Sequence, residues 1–148
     1  MKSKAFFFIF RALKFTKDNF NGTVGKVTLN KEDETILVQI NRCLKQYVDL
    51  LEKCKERDAI SQILSISRIG NQLMQAEQPW KLVKKGNEKE KARAYSVVSF
   101  CANISCLLAV LVEPFMPNLA NVMLQQLNTT LADVNVLAQK NEEDRLFR

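Results

Sequence analysis

The sequence predicts an all-α protein, an antiparallel bundle of about five helices. Three observations carry this. The 148 residues include only four glycines and three prolines, too few to punctuate the many short strands of a sandwich or barrel. Apolar residues recur three and four apart over long stretches. Those stretches end at clear stop signals, Asn21-Gly22, Pro79, Pro114 and Pro117. The length suits one folding unit with a substantial core, and the 47% apolar content is that of an ordinary globule.

Taken in order, residues 4 to 18 alternate basic and apolar positions at helical spacing, and "GTVGKVTLN" follows as a loop. Asn30 is placed to cap the next helix, with Asp33 at the third position as a weaker form of the usual Glu or Gln partner. Ile36, Leu37, Ile40, Leu44, Tyr47, Val48 and Leu51 form that helix's apolar stripe. Over about 56 to 76, Ser61, Ser65, Arg68, Gln72 and Gln75 make a polar stripe, and Ile60, Ile63, Leu64, Ile66 and Leu73 lie largely off it. Pro79 forbids helical continuation and favours an extended Gln78. "KKGNEKEK" reads as a solvated loop entering a fourth helix over about 89 to 113, and a short helix over about 118 to 127 follows Pro114 and Pro117. Within the fourth helix, Val97 to Val112 carries no charge. Its 16 residues include Ser99, Asn103 and Ser105, against about 20 apolar residues for a membrane crossing. It is expected to be a central helix packed on most sides. "MKSKAFFFIF" imitates a secretory signal, but its apolar run is short, Arg11 interrupts it and no small-residue cleavage site follows.

Charge is unevenly placed. Of the net +6, Lys2, Lys4, Arg11, Lys14 and Lys17 supply +5, while residues 81 to 93 supply +4 through Lys81, Lys84, Lys85, Lys89, Lys91 and Arg93 against Glu88 and Glu90. The rest sums to −3. Two basic segments suit an anionic partner, and make one patch if the fold brings them together. Catalytic chemistry has little to work with. There is no histidine, which removes the commonest general base and metal ligand. Gly22, Gly25, Gly70 and Gly86 are too scattered for a phosphate loop. Glu32, Asp33 and Glu34 lie at a helix start, where capping and the helix dipole account for them. Cys43, Cys54, Cys101 and Cys106 match no zinc or redox spacing and read as reduced, mostly buried side chains.

The single tryptophan, Trp80, stands between Pro79 and Lys81, with Lys84 and Lys85 just beyond. From the residues alone it is either a hydrophobic plug against the bundle or an exposed aromatic platform beside positive charge. "RDAISQILSISRIGNQLMQAEQPWKLVK" (57 to 84), "VEPFMPNLANVMLQQLN" (112 to 128) and "FRALKFTKDNFNGTV" (10 to 24) together resemble the anticodon-binding bundle of the methionyl-tRNA synthetases, the cytosolic eukaryotic type above all. The resemblance covers about residues 6 to 128. The run ending in Gln78-Pro79-Trp80 and the Pro114-Phe115-Met116-Pro117 turn are its most specific parts. Residues 129 to 148 match loosely and are expected to be a polar tail, weakly structured or partly helical.

The resemblance implies the class I synthetase anticodon-binding fold over residues 1 to 128 and recognition of a CAU anticodon. Trp80, aimed by Pro79, would stack the first base, Arg11 would read its edge, and Lys14, Lys81, Lys84 and Lys85 would hold the RNA backbone. Phe7 stands where the family usually has an Asn, which weakens base reading if that position takes part. The family's ATP-handling signatures, one of paired histidines and one Lys-Met-Ser-Lys-Ser, are absent, and "MKSK" at residues 1 to 4 is not the second. The implied protein is a detached or truncated domain that uses no cofactor itself; ATP and methionine belong to the full-length ligase. Its expected partners are methionine tRNA and either the catalytic domain or a multi-synthetase assembly, in the cytoplasm and without a membrane. The alternative is a helical protein-interaction module without RNA recognition, favoured if Phe6 to Phe10 form an exposed patch.

Overall fold

The computed structural model describes Arg11, Lys14, Phe15, Lys17, Asp18, and residues 30–84 and 86–127. Among the described residues, five whole helices follow one another: α1 (Lys31–Glu52), α2 (Glu56–Glu77), α3 (Pro79–Lys84), α4 (Glu88–Val112) and α5 (Pro117–Gln126). Arg11, Lys14, Phe15, Lys17 and Asp18 also have helical backbone. Phe7, Lys85 and residues 129 to 148 lie outside the described residues, as do Phe6 to Phe10.

Local chemistry sets the ends. The Asn30 side chain accepts the Asp33 backbone N–H at 2.8 Å, and the Asp33 carboxylate accepts the Asn30 N–H at 3.3 Å, a reciprocal capping box. Asn87 caps α4 through the Lys89 N–H, and Pro117 opens α5, where its missing N–H costs nothing. The end of α2 departs from expectation. Gln78 is not extended but left-handed, at φ 45° and ψ 63°. Its N–H still bonds the Met74 carbonyl, closing α2. Its own carbonyl accepts from Lys81 and Leu82, so one residue ends one helix and caps the next. Pro79, pre-set for a first helical position, then restarts the chain as α3 instead of leading into a loop.

α1 packs on α2, α2 on α4, and α4 on both α3 and α5. Asp33 near the start of α1 meets Arg93 near the start of α4, and Tyr47 late in α1 meets Leu111 late in α4. These helices therefore run parallel, with α2 reversed between them. Ile40, Tyr47, Ile63, Ile66, Leu73, Met74, Val97, Cys101, Leu108, Met123 and Leu124 belong to one buried cluster. α4 is its centre, with 14 buried residues out of 25. Among the described residues it is the helix long and apolar enough to cross a membrane, but 72% of that apolar window is buried in the bundle, the packing of a core helix.

Two further expectations fail. Leu37 and Val48 are exposed on α1, because α1 buries only a narrow line at Asp33, Ile40 and Tyr47, spaced seven apart. Cys54 is exposed in a left-handed turn and Cys43 and Cys106 are half-buried, so Cys101 alone of the four is fully inside. Burial pushes the Cys101 thiol, with help from the Asp33 charge, up to about 12.

Candidate nucleic-acid interface

The start of α1, the end of α2, α3 and the start of α4 meet at one end of the bundle, and Trp80 stands there on the second residue of α3. Pro79 is fully buried and anchors the turn. Trp80 is half-buried, with part of its ring against the core cluster. The plug and the platform are thus two sides of one side chain.

The open side faces the N-terminal segment. The Arg11 guanidinium lies over the indole, its central carbon 5.3 Å from the ring centroid, inside the reach of a cation–π contact. Arg11, Lys14, Phe15, Asp18, Met74 and Trp80 line an open cavity of about 200 Å³. That is below the size of a pocket for a drug-sized molecule and suits one flat ring. Lys14, Lys81 and Lys84 are exposed. The fold therefore brings the first basic segment to Trp80, beside the second.

Arg93 has to be removed from that patch. Its Nη1 and Nη2 donate to the Asp33 carboxylate at 2.6 and 3.0 Å, and Nη2 and Nε donate to Glu77 at 2.8 and 3.4 Å. Its charge is spent inside the protein. Burial by itself would raise the Asp33 carboxyl, but hydrogen bonds from Arg93 and from the Asn30 backbone, with the Arg93 charge, hold it below the ordinary value. The Arg93 guanidinium is raised, chiefly by its bond to Asp33.

Sequence reasoning missed Phe15, Asp18 and Met74 as lining residues. For the first two a signal existed: they lie four and seven positions after Arg11, on one helical face. Arg93 carries no local signal, since the carboxylates it meets are 16 and 60 positions away in the chain. No group of three or more Cys, Asp or Glu side chains able to hold a metal ion occurs among the described residues.

The model of a family described as the anticodon binding domain of methionyl tRNA ligase matches residues 24–143. The cytoplasmic methionine–tRNA ligase of Xenopus laevis is 42% identical over 81% of this chain and 13% of its own length. That of Homo sapiens is 40% identical over the same shares. The chain thus spans about an eighth of the length of these two relatives. Two solved structures of Mycobacterium tuberculosis methionyl-tRNA synthetase share the fold. The free form has a TM-score of 0.79 at 22% identity, over 84% of this chain and 25% of that one. The methionyl-adenylate complex has a TM-score of 0.81 at 21% identity, over 88% and 26%. The family match begins downstream of Arg11, so the place of Arg11 in the site stands on its approach to Trp80.

Proposed function

The chain belongs to the family of methionyl-tRNA ligase anticodon-binding domains, and from that premise we propose that its Trp80 end binds methionine tRNA by stacking the first base of the CAU anticodon. The observation that carries this reading is the juxtaposition of Arg11 with the open side of the indole. An unstacked RNA base needs an aromatic face, donors for its edge and positive charge for the backbone. Trp80 is the face, and Arg11 supplies donors for the acceptors of a cytosine edge. Lys14, Lys81 and Lys84 supply charge, joined by Lys85 in the chain.

Magnitudes favour the base over the resting contact. An exposed cation–π contact contributes about 0.5–1 kcal/mol, and a stacked base about 1–3 kcal/mol. A base that takes the face covered by Arg11 therefore gains more than that ring contact alone contributes. The guanidinium, moved aside, is then beside the base edge. This chemistry needs no cofactor; ATP and methionine serve the adenylate chemistry of a whole ligase. Joined to a catalytic domain or a multi-synthetase assembly, the domain would act in the cytoplasm, the location that the names of its relatives give for them.

The test is a titration of the full chain with a CAU stem-loop and a scrambled loop of the same length at several salt concentrations, repeated with initiator and elongator methionine tRNA. A preference for CAU that persists as salt rises supports the reading. Equal affinities for the two loops overturn it and leave the interaction-module alternative.

A further inference from the structure

Trp80 is aimed by its backbone, and the backbone around it has a weak point. Gln78 is the only residue between α2 and α3, and its left-handed conformation is one that a non-glycine residue rarely adopts unaided. If the end of α2 moves, Gln78 has an easy escape to an ordinary conformation, and α3 with its indole turns with it.

Both sides of this hinge are tied to α4. On one side, α3 packs directly against α4. On the other, Glu77, the last residue of α2, is held by the Arg93 guanidinium through Oε1 at 2.8 Å and Oε2 at 3.4 Å. Arg93 is itself fixed, because its other edge grips the Asp33 carboxylate in a two-bond fork. Asp33 is buried and held by the capping box of α1. An ion pair of this kind is a poor source of stability compared with apolar packing but a strong source of geometric definition.

We propose that Arg93 is a positioning residue for Trp80: by gripping Glu77 it fixes the end of α2 and holds the Gln78 turn that aims the indole. Its relevance to recognition rests on the anticodon reading above. The placement itself does not, and it can be measured without RNA. Trp80 is the only tryptophan in the chain, so selectively excited indole fluorescence reports this one position.

Glu77→Ala cuts the hinge tie and leaves the Arg93–Asp33 fork in place. Tyr47→Phe, at the opposite end of the bundle, lowers stability without touching the hinge. In the full chain, well below the melting transition of each variant, acrylamide quenching of Trp80 should change in Glu77→Ala and stay at the wild-type value in Tyr47→Phe. Affinity for the CAU stem-loop should fall about fivefold or more in Glu77→Ala, the loss expected from the smallest single-base stacking contribution, with the scrambled loop unaffected. Glu77→Gln keeps an acceptor for Arg93 and should recover most of both. Wild-type quenching in Glu77→Ala would overturn the proposal, as would an equal quenching change in Tyr47→Phe; unchanged CAU affinity alongside altered quenching would overturn its relevance to recognition. If wild-type protein shows no preference for CAU, the anticodon reading fails, and the quenching comparison still decides whether Arg93 holds the turn.

Discussion

Arg11 rests over the ring of Trp80, 5.3 Å from its centroid, although the two lie in segments separated by the whole of α1 and α2. The contact closes the bundle at the end where α2 hands over to α3. It leaves the indole neither solvated on all sides nor sealed in the core, and it assembles a cation, an aromatic face and an adjacent cavity from residues that no local motif joins.

Trp80→Ala removes the stacking face and should weaken binding to the CAU stem-loop by about 1–3 kcal/mol, leaving the scrambled loop nearly unchanged. Titration of both loops with both proteins checks this. Equal losses on the two RNAs would mean that the indole contributes bulk contact and does not read the anticodon.

Lys81 and Lys84 are exposed, follow the indole in sequence and lie on α3. Replacing both with alanine should weaken CAU and scrambled loops alike, because bonds to phosphate carry no sequence information. The slope of log affinity against log salt should become shallower by about 0.7 for each single-strand phosphate that is no longer neutralised. An unchanged slope would place the RNA backbone elsewhere.

The Arg93 fork predicts an acid limb of stability. The folded Asp33 carboxyl is depressed below its ordinary 3.8, so folding favours its charged form. That stabilisation is fully present above the ordinary value and is lost as pH falls from there through the folded value. Asp33→Asn keeps an acceptor for the Asn30 N–H but surrenders the ion pair. At neutral pH it should cost about 1–3 kcal/mol, below the about 3–5 kcal/mol of a fully buried broken pair, since Arg93 keeps Glu77 and is 23% exposed. Melting curves across the acid range should show the variant losing less further stability than wild type as pH falls.

Local rules were legible in the sequence and tertiary ones only in part. The Asn30–Asp33 box and the proline start of α5 depend on neighbours a few residues away, and the sequence places them. The same locality misleads at Gln78: the residue before a proline is pushed from the right-handed helical region, and nothing local separates the extended conformation from the left-handed one found at the junction of α2 and α3. Leu37 and Val48 sit at correct helical spacing, yet a helix that lies chiefly on α2 buries a narrower arc than its apolar stripe. Trp80 and its lysines were visible as a pattern, and the resemblance to a family favoured the platform, whereas the structure gives the indole one side against the core and one side open. Arg93 looked like one more cation of a basic segment, because the carboxylates that neutralise it are 60 and 16 positions away.

Tyr47 offers a test of the far end of the bundle. Its hydroxyl donates to the Leu111 carbonyl at 2.9 Å, in a buried setting. Leu111 is in the last turn of α4, where carbonyls have no partner within the helix. The ring also meets Phe115 edge-on, with centroids 6.4 Å apart and planes at 78°. Tyr47→Phe preserves the ring contact and deletes only the hydroxyl, so the loss reads the hydrogen bond and the stranded acceptor together, about 1–3 kcal/mol. For a domain of this size each kcal/mol lowers the melting temperature by about 2–4 °C. Burial, with the nearby Glu113 charge, raises the phenol above its ordinary 10.0. Folding therefore favours the neutral form, and the contribution is complete below pH 10.0 and lost as pH rises through the folded value. Wild-type protein should accordingly lose stability on the alkaline side more steeply than Tyr47→Phe, and the two melting temperatures should converge there. Coincident melting temperatures at neutral pH would show that the Leu111 bond adds nothing and that Tyr47 is held by its ring alone, and parallel curves through the alkaline range would show that folding does not raise the phenol.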